Sequence, residues 1–439
     1  MGGICVGPGI AGYDLRSAAD RAVKLDYDGD GNEDLFLYRP GRGAAWLARS
    51  NGDGSFTAVY AVGDNGPAAP NGLAGYDLLS PDDKVLVLDY NGDGWDDLLF
   101  YRPGRGAAWL ARSNGNGTFT AVYTVGDNGA AAPNGIAGYD LLSPNDQILV
   151  LDFNGDGRDD LFLYRPGTGA AFMARSNGDG TFTAVHAVGD NGPALPNGIA
   201  GYDLLSPNDQ VVAFDYNGDG RDDLFLYRPG SGAAFVVRSN NNETFTAVYS
   251  VGDNGPAAPN GIANYDLLSV NDQAIAFNYN GDGREDLFIY RPGRGAMAVI
   301  RWTGGGNFQA VNRTQDNGAA PPNGIAGFDL LSTRDRVLPM NYDGNARDDL
   351  FLYRPGTGAA WVAQSQGNGQ FQGVYRVGDN GPASPNGIGG FDLLDGDDQV
   401  LIFDYNGDGR DDLFLYRPGA GAAWVVRSDG DGTFSQAHP

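Results

Sequence analysis

An acidic loop opens at Asp26 and returns at Asp89, Asp152, Asp215, Asn278, Asn341 and Asp404, each time after 63 residues. Seven copies of one unit constrain the fold more than any other property of the 439-residue chain. A unit of this kind cannot bury its apolar face alone, so the copies must pack on one another, as an open stack or as a ring. The ends favour the ring. "GPGIAGYDL" near the start matches "PNGLAGYDL" at 70–78, so Gly9 stands where Gly72 stands. "TFSQAHP" at the end matches "SFTAVYA", so Pro439 stands where Ala61 stands. The chain therefore holds seven periods cut open at one point, and neither terminal copy is an atypical cap with a polar outer face. Length alone would suggest about three domains. The repeat replaces that estimate with one closed domain, 1–439.

Each unit carries four strand signals. In the second copy they are "KVLVLDY" (84–90), "LLFYR" (98–102), "GAAWLAR" (106–112) and "TFTAVYTV" (118–125). The first is a continuous apolar run, expected to be buried on both faces, and the last alternates as a half-exposed outer strand should. About twenty residues rich in Gly, Pro, Asn and Asp remain as a crossover. Helical periodicity is absent. Short strands in groups of four predict an all-β fold, a seven-bladed β-propeller of antiparallel blades. Blade cores are expected at about 22–61, 85–124, 148–187, 211–250, 274–313, 337–376 and 400–438. A stacked β-solenoid is the alternative, with usually shorter repeats.

The acidic loop has the composition of a metal site. Taken as nine positions, it places Asp89, Asn91, Asp93 and Asp97 at 1, 3, 5 and 9, with Gly94 at 6. Ca2+ takes roughly six to eight oxygens from carboxylates, carboxamides, carbonyls and water. Alternate residues of a tight loop converge, and position 7 (Asn32, Trp95, Arg158) needs to offer only its carbonyl. The same donors recur as Asp26, Asp28, Asp30 and Asp34; as Asp152, Asn154, Asp156 and Asp160; as Asp215, Asn217, Asp219 and Asp223; and as Asp404, Asn406, Asp408 and Asp412. The fifth copy, with Asn278, Asn280, Asp282 and Asp286, has a carboxamide at position 1 and is expected to bind more weakly. In the sixth, Asn341 and Asn345 replace acids and Ala346 replaces the glycine, so that loop is expected to be weak or empty. Five to six Ca2+ ions per chain follow. The competing reading is a plain hairpin turn, which needs Asn-Gly or Asp-Gly but no further acids. Without paired His or Cys the loop does not suit zinc.

Composition agrees with a cation-binding protein. The formal net charge is -26 and the pI about 4.2, which argues against nucleic acid or an anionic membrane as partner. No apolar run approaches the ~20 residues of a membrane span. Cys5 is the single cysteine, so no intramolecular disulfide can form. "MGGICVGPGI" lacks the basic start and apolar core of a signal peptide. Secretion is nevertheless expected, because weak Ca2+ sites fill only at extracellular concentrations. A monomer is expected.

The pattern D-x-N-G-D-G-x-x-D-L between two strands resembles the FG-GAP/VCBS repeat, found in the propellers of integrin α-subunits and of fungal and bacterial propeller lectins. The resemblance covers all seven units and implies a Ca2+ loop between the first two strands of each blade. "NGDGTF" at 177–182 also looks like the VCBS pattern. "LFLYRPG" stands where the Phe-Gly and Gly-Ala-Pro signatures of the integrin repeat would be. The Gly-Phe-Gly and Gly-Gly-Trp elements of the N-acetylglucosamine-binding lectins are absent. Ligand identity therefore does not carry over.

Near-identical units suit several equivalent weak sites, which avidity strengthens. Three features recur: the Arg of "YRPG" (Arg39, Arg102), the aromatic of "GAAW" (Trp46, Trp109) and the polar pair of "GDNG" (Asp64 and Asn65, Asp127 and Asn128). They are the candidate ligand-binding residues. An aromatic face would stack on a sugar while the polar groups take its hydroxyls. The alternatives are an Arg paired with the Asp of "YDLL", an aromatic packed between blades, and a loop that only turns. Partners are expected to be glycans or a cell-surface protein. The function expected is a multivalent lectin-like or adhesion module, with a structural or protein-interaction propeller attached to another domain as the alternative. Catalysis is not expected, since none of the rare residues Cys5, His186 and His438 recurs with a partner and His186 occupies a Tyr position. A polysaccharide lyase using a Tyr or His with an Arg is the form an enzyme would take.

Overall fold

The computed structural model describes residues 9–438 apart from 130, 132, 319, 382 and 384, so Cys5 and Pro439 lie outside the described residues. Twenty-eight strands form seven four-stranded sheets, and each sheet takes its strands in sequence order. Blades 1 to 7 span 21–62, 84–125, 147–188, 210–251, 273–314, 336–377 and 399–438. In blade 2 the strands are Lys84–Leu88, Asp97–Arg102, Ala107–Ser113 and Phe119–Val125, all antiparallel. No helix occurs among the described residues.

Burial differs from the sequence expectation in one respect. The strand buried along its whole length is the second, Asp97–Arg102, whereas the apolar first strand Lys84–Leu88 is half-buried. The first strand is the inner edge of its sheet, next to the innermost strands of the neighbouring blades, so one edge pairs with nothing in its own sheet. Its apolar side chains pack sideways between blades, which explains the continuous run.

The seven apolar cores lie between blades. The last of the seven interfaces joins blade 7 to blade 1 and contains Ile10, Tyr13 and Leu15 beside Phe403 and Phe414. Among the described residues no strand crosses this seam. The crossover segments close it, as they join every other pair. Leu78 has φ 52°, a left-handed conformation that is costly for a side chain of this size. That turn aims its carbonyl at the preceding blade, where it accepts from the amides of Gly41 (3.0 Å) and Gly43 (3.1 Å). At the seam the carbonyl of Leu15 accepts from Gly419 and Gly421 in the same way, at 2.9 and 3.0 Å.

A second belt runs through the acidic loops. The amide of Asp26 donates to Asp96 of the next blade at 2.7 Å, and the amide of Asp96 donates back to the Asp26 carbonyl at 2.9 Å. Equivalent bonds join Asp89 to Asp159, Asp152 to Asp222, Asp215 to Glu285, Asn278 to Asp348, Asn341 to Asp411 and, across the seam, Asp404 to Glu33. Every acid at position 8 thus bridges two blades.

Candidate functional site

The acidic loop joins the innermost strand to the second. Its first residue leaves the strand at Asp89 and its ninth, Asp97, begins the next. Position 1 organises the turn: Asp89 accepts from the amides of Gly92 (2.8 Å) and Gly94 (2.9 Å). Gly94 sits at φ 81°, where a side chain would be strained. Position 9 is held from behind. Oδ1 of Asp97 accepts from the Ser113 amide at 2.7 Å, and the Ser113 hydroxyl donates to the Tyr27 carbonyl of the preceding blade at 2.7 Å. Oδ2 of Asp97 is buried and has no hydrogen-bond partner, as are Oδ2 of Asp34, Asp286 and Asp349. A buried carboxylate oxygen without a donor costs free energy unless a cation or proton meets it. Burial, followed by the neighbouring Asp93 and Asp89, pushes the Asp97 carboxyl up to about 8, while the Ser113 amide pulls it down.

This donor set fits a hard divalent cation. In the first loop one oxygen each of Asp26, Asp28 and Asp34 lies within 4.8 Å of the others. Asp30 stands outside that group, its Oδ1 accepting from the backbone and side chain of Asn32. Position 5 pairs with position 7 elsewhere too: Arg158 meets Asp156, Arg221 meets Asp219, and Arg410 meets Asp408 at 2.6 Å. Position 7 therefore contributes a side chain, a role its variability had concealed. In the other intact loops an Asn stands at position 3. Asn154, Asn217 and Asn406 donate to Asp160, Asp223 and Asp412, and a half-turn of each amide would present oxygen instead. Asn280 and Asp282 keep the Asx-turn pattern, with Asn280 accepting from the Asp282 amide at 2.9 Å. In the sixth loop Asn341 donates to the Gly409 carbonyl and Asp343 accepts from Gln364, so two of its donors are engaged.

The recurring Arg lies at the opposite end of the second strand. Arg102 is 8% exposed and forks onto Asp83, with Nε at 2.7 Å and Nη2 at 3.0 Å. It also reaches Asp77 of "YDLL" at 2.7 Å and Asp127 of "GDNG" at 3.4 Å. Tyr76 donates to Asp83 at 2.6 Å, and the guanidinium lies 5.5 Å from its ring centre. Arg39 repeats the arrangement with Asp20, Asp14 and Asp64. Asp83 and Asp20 were missed from sequence; they sit in the crossover, where an Asp reads as a turn residue. The outer members remain accessible, Asp77 at 48% and Asp127 at 36% side-chain exposure. Asn65 and Asn128 close their loops on the carbonyls of Pro70 and Pro133.

The indole of Trp109 is half-buried under the crossover, donating to the Ala74 carbonyl at 3.1 Å, and Trp46 does the same to Ala11 at 3.0 Å. His186 replaces a tyrosine on the outer strand, its Nε2 lying 2.9 Å from the Gly198 carbonyl where Tyr123 meets Gly135.

A family model for the FG-GAP-like repeat matches residues 89–142, from the acidic loop of blade 2 into the following crossover. No curated protein matches the sequence. Among solved structures, one concerns specific recognition of non-reducing terminal N-acetylglucosamine by a lectin of Agrocybe aegerita. That lectin is 17% identical, with a TM-score of 0.59 over 96% of this chain and 91% of its own. Prolyl oligopeptidase B from Galerina marginata is 11% identical with a TM-score of 0.47, covering 97% of this chain and 52% of that one. The Photorhabdus luminescens Tc holotoxin pore is 18% identical with a TM-score of 0.43, covering 95% and 17%. The likeness to the lectin is one of fold, and the other two are too distant to carry more. The matched segment falls on one unit, and the other six repeat its sequence and its strands: the chain is a seven-bladed β-propeller in which the second unit matches the FG-GAP-like repeat.

Proposed function

We propose that the chain is a Ca2+-binding propeller that acts outside the cell as a multivalent glycan-binding or adhesion module. The observation that carries the glycan reading is the repetition around the ring of two exposed carboxylates held by a buried guanidinium, Asp77 and Asp127 on Arg102 in blade 2, with the half-buried Trp109 ring 6.3 Å from Tyr76 of the same cluster. Such convergent donors and acceptors match the hydroxyls of a sugar. The whole-length likeness to a lectin propeller is consistent with this use. The metal reading rests on the buried, partnerless Oδ2 of Asp34, Asp97 and Asp286, a feature the sixth loop shares at Asp349, and on the crowding of acids around them. Bound Ca2+ would neutralise the crowded carboxylates; Asp89, Asn91, Asp93 and Asp97 are the residues that would hold it in blade 2. What the chain itself supplies is placement: the Ser113 amide fixes Asp97, and the turn amides fix Asp89.

A glycan array probed with the full chain at about 1 mM Ca2+, the range of weak extracellular sites, tests the proposal. Binding to neutral glycans, with several ligands per chain, is expected. Silence at high protein concentration would overturn it. A second reading is a protein-interaction or structural propeller attached to another domain. It is favoured by the internal engagement of Arg39, whose fork is taken by Asp20, and of Trp46, whose N–H is taken by Ala11. The proposal is of binding without turnover; release of unsaturated sugars from a uronate polysaccharide would contradict it.

A further inference from the structure

Blade 5 departs from its siblings at several places, among them Met297, Trp302 and Asn312 on its outer strands, and one group of its departures meets in a cleft. Where the others have glycine (Gly75 in blade 2), it has Asn264; where they have Trp or Phe (Trp109), it has Ala298. Thr314 replaces a valine (Val125) and Gln315 replaces a glycine (Gly126); Arg313 stands where Thr124 stands, a position that blade 6 also fills with an arginine, Arg376, there lying over Trp361. These positions come from the crossover, the third strand and the end of the fourth, yet they converge. A cavity of about 270 Å3 is lined by Asn264, Asp266, Arg313, Thr314, Gln315 and Asp316, among others.

The changes are coupled. A Cβ on Gly75 would stand 3.2 Å from the Trp109 ring, so an asparagine there crowds the indole and would make it shift by a few tenths of an ångström. Ala298 removes it. The hydrogen bond that Trp109 donates to the crossover backbone is replaced by one from Arg313 to the Asn264 carbonyl at 3.1 Å. Thr314 donates to the Gly295 carbonyl at 2.9 Å. Asn264 has φ 66°, a conformation the six glycines adopt without strain. At this cleft a residue with positive φ is kept and the aromatic anchor is given up, and the result is polar.

The chemistry of the cleft selects its ligand class. Arg291 is neutralised by Asp266 and Asp272 and lies 3.4 Å from Asp316, so the addition of Arg313 leaves the site close to neutral. Donors (Arg313, Asn264, Gln315) alternate with acceptors: Asp266 is 50% exposed and Asp316 is 34% exposed in its side chain. The volume lies just below the ~300–1,000 Å3 of small-molecule pockets and suits a single sugar unit. We propose that the blade 5 cleft is a differentiated site for one neutral, hydroxyl-rich sugar unit, tighter than the clefts of the other blades. The inference rests on the glycan-binding reading and adds that the seven clefts are unequal.

Titration calorimetry of the full chain with methyl glycosides of glucose, galactose and mannose, and with N-acetylglucosamine, tests it. Two variants accompany the native chain. One restores the sibling sequence (Asn264→Gly, Ala298→Trp, Arg313→Thr, Thr314→Val, Gln315→Gly), and the other carries the surface change Gln315→Gly alone. The expected result is one site per chain at least about tenfold tighter than the rest, a difference of 1.4 kcal/mol. It should vanish in the restored variant and weaken in Gln315→Gly, with the remaining weak sites unchanged. Equal sites in the native chain, or a tight site that survives restoration, would overturn the inference while leaving glycan binding intact. No heat with any probe, joined to a silent array, would remove the glycan reading and the inference with it.

Discussion

At the scale of single residues, the ninth loop position carries the sharpest consequence. Asp97 buries one oxygen against an amide and leaves the other without a donor. Asp97→Asn keeps the acceptor for Ser113 and removes the charge. With saturating Ca2+ the variant should bind one ion fewer and lose about 1–3 kcal/mol of stability. In a chelator above about pH 8, where the metal-free carboxyl is charged, its sign should reverse, because the buried charge that nothing neutralises is then gone. Denaturant melts under both conditions check this; a variant destabilised equally in both would assign Asp97 a packing role alone. Arg102 gives a contrasting case. Its fork onto Asp83 is bidentate and buried, so Arg102→Lys should cost about 1–3 kcal/mol and Arg102→Ala about 3–5 kcal/mol, in either metal condition. The loop acids at positions 1, 3, 5 and 9 were legible in the sequence because they crowd into nine residues. Asp83 and Asp96 were not. Asp83 meets its Arg 19 residues away and Asp96 meets an amide 70 residues away, separations that no local pattern encodes.

At the scale of elements, the blade was legible almost strand by strand, since turn signals and apolar runs bracket each one. Which strand is most deeply buried was not, because an apolar run looks the same whether it lies inside a sheet or at an inner edge packed between neighbours. The crossover was read as a connection, yet it is the clasp of the ring. Removal of the residues before Arg16 would take away the Leu15 carbonyl and the Ile10 and Tyr13 side chains at the seam. Hydrogen exchange should then rise in the strands of blades 7 and 1 and remain unchanged in blades 3 to 5; uniform exchange would show that the seam needs no clasp. Asp96→Ala should cost about 1–2 kcal/mol, as a charge-assisted bond between blades is lost.

At the scale of the whole molecule, seven copies and matched ends made the ring legible before any coordinate. The ligand was not legible, because a repeat advertises what its copies share, whereas blade 5 differs at many scattered positions and only the folded chain shows which of them meet in one cleft. The net charge of -26 belongs to this scale too, since six Ca2+ ions would bring it to about -14. The most direct test of a cation-stabilised ring is the thermal melt of the full chain in Ca2+ and in a chelator. A melting temperature that falls on chelation and returns when Ca2+ is restored is the predicted result. An unchanged melting temperature would contradict the assignment of these loops to metal.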